Sequence, residues 1–382
     1  MRACDELGKP GLSRALERLE RPVAALSGLF TLARPAVFPD YTAEMQTRLA
    51  YGLFWFPQSF VRTQLPLAEI VEFRRWQPGE GEPLRLLDLG CGLGAAGLGA
   101  ADWLLRSGTA KTVKLTALDS SPRALEWLDE LTREQARREL PGLSVRTRQG
   151  DLRHWPESSR AGTYELIVLG FSLNEAYAGS GANDRLEFLA TLRSLLAPGG
   201  LLLVLEPALR ESAEALQAAA DTLVLEGTYR RWGPGLHQGA DPTLREGHYH
   251  PHEVRAWELP RTVEFLNRRL HRSLGELTFH YAALGTGDPP ELPAGPRLAR
   301  LVSPMALLKR RFACEGVDAA GTRHSYDISA RGLAKRAAKD YAAGFERGDI
   351  LQVAPEALEA AGTANTWRIN EPGAVEAAYH VA

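Results

Sequence analysis

The sequence predicts an α/β protein: a doubly wound, mostly parallel, seven-stranded sheet with a helical N-terminal extension and a small β-rich C-terminal module. Three observations carry this expectation. The apolar run Leu84–Leu89 reads as a buried strand and is followed at once by a glycine-rich turn, Gly90, Gly92 and Gly94. Further short apolar runs at 113–118, 143–149, 164–170 and 201–205 alternate with helix-forming segments, the pattern of a parallel sheet with crossover helices. The turn Ala197-Pro198-Gly199-Gly200 separates a helical pattern from a run of Leu and Val.

The glycine turn is the most informative element. Glycine accepts positive φ and has no Cβ, so a ligand can approach the backbone closely. A turn that opens a helix also presents free amides to whatever lies above it. Asp88 stands near the end of the first strand, and Asp119 ends the second, before Ser120, Ser121 and Pro122. The third strand runs into Gly150-Asp151-Leu152, and the fourth into Gly170-Phe171-Ser172-Leu173-Asn174-Glu175. Two ligands fit the turn itself. Gly92, Gly94 and Gly97 match the dinucleotide spacing, whereas Gly90, Gly92 and Gly94 match the tighter spacing of S-adenosylmethionine enzymes. An acid at Asp119 accepts ribose hydroxyls in either case. An acid at Asp151, placed to accept from an adenine amine, favours S-adenosylmethionine.

This order resembles the class I methyltransferase fold, a Rossmann-like sheet, over about residues 84–285. The resemblance implies that Gly90, Cys91, Gly92 and Gly94 hold the methionine end of the cofactor. It also implies that Asp88 lies near the cofactor's amino group, that Asp119 and Ser120 hold the ribose, and that Asp151 and Leu152 lie by the adenine. Gly170 and Phe171, at the end of the fourth strand, then face the reacting centre. Asn174 and Glu175 are the catalytic candidates, Glu175 as a base near the acceptor. The segment lacks the Asn-Pro-Pro-aromatic motif of many exocyclic-amine methylators, and no cysteine stands in a nucleophile-like context.

Composition bounds the rest. The chain has 382 residues, a net charge of −2 and three cysteines. It can hold two domains, or one with extensions, and its charge gives no global drive toward nucleic acid or membrane. Cys4, Cys91 and Cys314 are too scattered for a disulfide framework, which points to a reducing compartment and a cytoplasmic protein. No apolar run approaches membrane-spanning length.

Domain boundaries follow from composition. Residues 1–83 read as the helical extension. Within it, 42–71 mixes Tyr51, Phe54, Trp55, Phe56 and Phe60 with few charges, and reads as helical core or as a lid over the site. Residues 84–285 read as the S-adenosylmethionine-binding domain, with a loop-rich insert at 228–262. A linker at 286–296 leads to a basic β-rich module at 297–353, and 354–382 reads as a weakly ordered tail. Residues 297–347 hold eleven Lys or Arg against five Asp or Glu. Such an excess fits a polyanionic partner, RNA foremost, or a solvated helix face.

The insert run Gly233-Pro234-Gly235-Leu236-His237-Gln238-Gly239-Ala240-Asp241-Pro242 resembles a segment of the mitochondrial and bacterial small-ribosomal-subunit methyltransferase-like proteins. So do residues 269–277, Phe279-His280-Tyr281 and the basic segment up to Cys314. This resemblance implies action on small-subunit ribosomal RNA, or a role in small-subunit assembly. Many of those proteins hold an iron–sulfur cluster on loop cysteines. Here Gly235, Asp241 and His250 stand at those places and only Cys314 remains, so no cluster is expected. His237, His248, His250 and His252 with Asp241 are too loosely spaced for a predicted metal site. A non-catalytic RNA-binding assembly factor and a small-molecule methyltransferase are the alternative readings.

Overall fold

The computed structural model describes residues 11–31, 35–79, 81–133, 137–155, 163–246, 250–272 and 274–380. The chain divides into two compact units. One comprises residues 1–67, 78–205 and 256–277; the other comprises 68–77, 206–255 and 278–382.

In the first unit, helices α1 (Leu12–Glu17), α2 (Glu20–Thr31) and α3 (Met45–Glu72) precede the sheet. Leu16, Leu19, Val23 and Leu26 recur at helical spacing. They bury together with Ala50, Phe54 and, from the helix Arg261–Arg269, Val263 and Leu266. Pro57 and Pro66 lie inside α3. Proline has no N–H, so the carbonyl four residues earlier loses its helical donor. For Pro57 that carbonyl belongs to Leu53, and the Thr262 hydroxyl donates to it at 3.4 Å.

The sheet of this unit contains β1 (Leu84–Leu89), β2 (Val113–Asp119), β3 (Leu143–Gln149), β4 (Tyr164–Gly170) and β5 (Leu196–Glu206). Their order is β3-β2-β1-β4-β5, and every adjacent pair is parallel. Helices α4 (Ala95–Arg106), α5 (Pro122–Leu131), α6 (Leu173–Ala176) and α7 (Ala182–Leu192) connect the strands. The apolar runs of β1 and β4 occupy the centre, whereas β3, at the edge, alternates partly buried and exposed positions. The strand order reverses between β1 and β4. Open α/β sheets bind ligands at such a switch point, beyond the carboxyl ends of the strands. β5 starts at Leu196, earlier than the expected 201. Leu196 pairs with Tyr164 and Leu201 with Leu166, so the Pro-Gly-Gly turn is a bulge within the strand, with Gly199 at φ +73°.

In the second unit, α8 (Arg210–Leu225) leads to β6 (Arg230–Gly233), β7 (Glu253–Ala256) and β8 (Glu276–Gly285). β6 runs antiparallel to β8, and β7 also pairs with β8. The expectation of one mostly parallel seven-stranded sheet is therefore corrected: five strands are parallel and the rest of the complement is mixed. An apolar run such as 277–285 predicts burial on both faces and carries no information on strand direction.

A further sheet holds β9 (Leu298–Leu301), β10 (Ala306–Leu308), β11 (Arg311–Asp318), β12 (Arg323–Ser329) and β13 (Ile350–Val353). It continues with β14 (Leu358–Ala360), β15 (Thr366–Ile369) and β16 (Val375–Tyr379). The order is β14-β15-β12-β11-β9-β13-β16, with β10 on β11. Ala299, Leu301, Phe312, Ile328, Leu351 and Val353 form its core with Ala338 of α9 (Lys335–Ala343). The segment expected to be a weakly ordered tail supplies three strands, and Ile369 and Val375 enter this core. These strands are three to five residues long, too short for alternation to register in sequence.

A buried ionic cluster ties together distant parts of the second unit. The Arg300 guanidinium donates to Glu69 at 2.7 and 3.0 Å and to Glu253 at 2.9 Å. The Tyr281 hydroxyl donates to Glu69 at 3.2 Å, and Arg255 donates to Glu253 at 2.9 Å. Glu69, Glu253, Arg255 and Arg300 are all buried. Burial alone would push the Glu253 carboxyl up, but Arg300 and Arg255 outweigh it and hold the carboxyl below its ordinary value. Removing one member of such a cluster strands the opposite charge in a low-dielectric interior. Arg300→Met is expected to cost roughly 3–5 kcal/mol of stability. Urea denaturation measures this, and a loss below about 1 kcal/mol would show the cluster to be dispensable.

Candidate active site

A cavity of about 450 Å³ opens in the first unit at the carboxyl ends of β1, β2 and β4. That volume lies within the roughly 300–1,000 Å³ of small-molecule and cofactor sites. Its floor is the glycine turn. Gly90, Gly92 and Gly94 have φ of +70°, +52° and +86°, the left-handed region that favours glycine. A Cβ on Gly90 would lie 2.5 Å from the Ser172 Cβ, whereas one on Gly92 would meet nothing within 4 Å. Gly90 is thus required by packing against the β4 end, and Gly92 by backbone conformation beside open space.

Two carboxylates hold this turn. Asp119 accepts from the Gly92 amide at 2.7 Å and from the Ser121 amide at 2.8 Å. Asp88 accepts from the Gly97 amide at 2.8 Å. Asp119 lines the cavity, and a carboxylate has about four lone-pair sites, so two amides leave room for ligand hydroxyls. Burial pushes the Asp119 carboxyl up, opposed by the amides of Ser121 and Gly92. Asp88 is fully buried and does not line the cavity. Burial pushes it up to about 7, with the Gly97 amide pulling the other way. Asp88, expected near the ligand's amino group, braces the first turn of α4 through Oδ2, and its Oδ1 has no hydrogen-bond partner among the described residues. Gly94, likewise expected at the ligand, is the N-cap of α4 and is absent from the lining.

Gly90, Cys91, Gly92, Asp119, Ser120, Asp151, Leu152, Gly170, Phe171 and Glu175 all line the cavity. Asp151 caps the turn that follows it and pairs with the Arg153 guanidinium, which holds its carboxyl below the ordinary range. The Cys91 thiol is pushed well up by burial and stays protonated. Asn174 is buried and donates to the Phe171 carbonyl at 2.9 Å; it supports the β4 end and does not line the cavity. Phe171 itself has φ +66°, a conformation costly for a side-chain-bearing residue and concentrated at functional sites. Arg62 lies over its ring at 5.5 Å.

Residues 36–41 are the part of the cavity wall that sequence reasoning missed. Residues 36–42 line the cavity, together with Tyr51 and Ser59 of α3. Asp40 accepts from the Thr42 amide and hydroxyl, closing an Asx turn, and the Thr42 hydroxyl reaches Ser121 at 2.8 Å. The Tyr41 hydroxyl donates to Glu175 at 3.3 Å. Of the two readings of 42–71, both hold in part: Phe54 is core, and Tyr51 faces the site. The Pro39-Asp40-Tyr41-Thr42 turn was the available signal.

The histidines of the second unit are placed otherwise. His250 pairs with the Ala208 carbonyl and His252 with the His250 carbonyl, and their rings stack at 4.4 Å. The His237 Nδ1 accepts from the Gly239 amide. His248 lies outside the described residues. Among the described residues no group of three His, Cys, Asp or Glu is placed to hold a metal ion. No helix among them is long and apolar enough to cross a membrane.

With this geometry in place, comparison with known proteins is informative. Residues 87–202 match a family model described as a methyltransferase domain. No curated protein matches the chain. Among solved structures, the plantazolicin methyltransferase BpumL in complex with SAH shares 14% identity over 72% of this chain and 98% of its own, at a TM-score of 0.35. A methyltransferase from Clostridium acetobutylicum shares 14% identity over 77% and 81%, at 0.29. The glycopeptide N-methyltransferase MtfA shares 23% identity over 36% of this chain and 53% of its own, at 0.25. The strand order, the site and the family match agree with one another. Together these define a class I S-adenosylmethionine-dependent methyltransferase. None of the proteins just named carries the resemblance to the small-subunit ribosomal family.

Two expectations follow. Asp119→Ala removes both the ribose acceptor and the brace on Gly92. Calorimetric titration with S-adenosylmethionine is expected to show at least a tenfold loss of affinity, and wild-type affinity in the variant would refute the assignment. In the second unit, burial lowers His280 to about 3 and His252 to about 4. Both ring nitrogens of His280 lack a partner among the described residues. The unfolded chain binds protons at these imidazoles below about pH 6.5 and the fold does not, so their stabilising share is present above that pH and falls as pH drops toward 4. His280→Leu is expected to flatten the loss of stability between pH 7 and 5, read by urea midpoints, and an unchanged slope would contradict this.

Proposed function

We propose that this methyltransferase acts on a small organic acceptor that enters the cavity of the first unit. The observation that supports this reading is the charge of the lining. Asp40, Asp119, Asp151 and Glu175 face Arg153 as the single basic residue among those lining it. An acidic wall suits a cationic cofactor and disfavours an acceptor carried on a phosphate backbone.

S-adenosylmethionine, when bound, supplies a methyl group on a positively charged sulfur. The residues present fit it: a left-handed glycine turn beside open space, Asp119 with acceptor capacity to spare, and a cavity of suitable volume. The chain's own contribution is binding and positioning. Asp119 holds hydroxyls, residues 36–42 and Tyr51 line the cavity, and Phe171 with Glu175 borders the acceptor. Methyl transfer needs little beyond alignment of a nucleophile in a dry site.

A second reading, with small-subunit ribosomal RNA as substrate or partner, is favoured by one observation. In the second unit Lys309, Arg310, Arg311, Arg331, Lys335, Arg336 and Lys339 are all exposed. Two of the eleven basic residues that motivated it, Arg300 and Arg347, are buried, and Arg323 pairs with Glu315 at 2.6 Å. The two readings separate in one assay. Protein supplied with methyl-labelled S-adenosylmethionine is offered small ribosomal subunits, naked small-subunit RNA and a low-mass cell extract. Label is expected in the low-mass fraction; label on RNA would overturn the small-acceptor reading.

A further inference from the structure

In the second unit β10 and β11 form a hairpin that ends in a two-residue loop. Leu308 pairs with Arg311, so Lys309 and Arg310 make the turn, with Arg310 at φ +62°. Leu307 pairs with Phe312, and successive side chains of a strand alternate, so Leu307 and Leu308 stand on opposite faces. They are 36% and 43% exposed, so the fold leaves both faces of this hairpin end open to solvent. The Ala330 amide donates to the Arg310 carbonyl at 2.9 Å, and the Leu333 amide to the Ala330 carbonyl at 3.3 Å. These bonds tie the hairpin tip to the turn that leads into α9, where Leu333 is 38% exposed. Six large apolar side chains are exposed among the described residues, and three of them stand here, a concentration and not a scatter. Around them Lys309, Arg310, Arg331, Lys335 and Lys339 are exposed and make no ion pair among the described residues. Arg311 and Arg336 pair with Asp327 and Asp340.

We propose that this end of the second unit docks on an anionic lipid surface, with Leu307, Leu308 and Leu333 entering the interface and the cations lying over the headgroups. Such a surface offers negative charge with an apolar layer just beneath it, and the patch presents a complement to each. Leucine gains by leaving water, and every lysine or arginine near an anionic leaflet adds an attraction that salt screens. RNA, the other polyanion these cations suit, supplies the charge but not the apolar layer. Proteins that grip single strands stack the bases on aromatic rings. Residues 306–311 and 330–340 contain no Phe, Tyr or Trp, and the neighbouring Phe312, Tyr341 and Phe345 pack in the core of the sheet. The net charge of −2 for the whole chain conceals this local excess. Docking here involves the second unit alone and is independent of which acceptor the first unit methylates.

The test is flotation of the full chain with large unilamellar vesicles, either of phosphatidylcholine alone or with about 30% phosphatidylglycerol. Partition onto the anionic vesicles is expected to exceed that onto the neutral ones about tenfold or more at about 0.1 M salt, and to fall steeply as salt is raised. This comparison needs no variant. The double variant Leu307→Ser, Leu308→Ser keeps every charge, and circular dichroism checks its fold. Its partition onto anionic vesicles is expected to drop about tenfold, with retention on heparin, a polyanion without an apolar layer, within about twofold of wild type. No partition onto either vesicle, equal partition onto both, or undiminished partition of the folded leucine variant overturns the lipid surface. Naked small-subunit RNA that outcompetes anionic vesicles of equal phosphate concentration for the wild type also overturns it, and assigns the face to RNA.

Discussion

The site depends on two hydrogen bonds made by carboxylates to one turn. Asp119 reaches back from the end of β2 to the Gly92 amide, and Asp88 rises from β1 to the Gly97 amide. Gly97 lies in the first turn of α4, which leaves its donors free, and Gly92 lies in the turn that precedes the helix. The carboxylates satisfy both amides and hold a run of three left-handed glycines in one conformation. Everything the cavity offers a ligand, from its open floor at Gly92 to the spare lone pairs of Asp119, follows from that bracing. Burying Asp88 raises its carboxyl toward neutrality, the expected cost of using a charge as a structural prop.

The roof solves a different problem. A proline inside α3 frees the Leu53 carbonyl, and the Thr262 hydroxyl takes it. The same helix presents Phe54 to the helical core and Tyr51 to the cavity. An amphipathic helix can thus be packing element and lid at once, because its two faces answer to different neighbours. The second unit reaches order by another route. Glu69, Glu253 and Arg300 are far apart in sequence and meet in a dry cluster, where a complete set of partners replaces water.

Much of the first unit was legible in the chain. The strand, turn and helix at 84–106 were readable because an apolar run, three glycines and an alanine-rich segment each have a local meaning that agrees with its neighbours. Asp119 and Glu175 were readable as strand-end residues at a switch point. The amide that Asp88 braces was not legible, because an acid beside a glycine turn looks the same whether it points up to a ligand or down to a backbone amide. The short strands at 358–379 were misread because three to five residues show no period.

The sequence by itself determined the nucleotide-type sheet, its glycine turn and the acids spaced along its strand ends, since these rest on local propensity and short-range pattern. Only the tertiary structure decided which acids face the cavity, which loop roofs it, and that Tyr41, Tyr51 and Glu175 stand together. Those are contacts between residues up to 134 positions apart, set by how elements pack and not by any period within them.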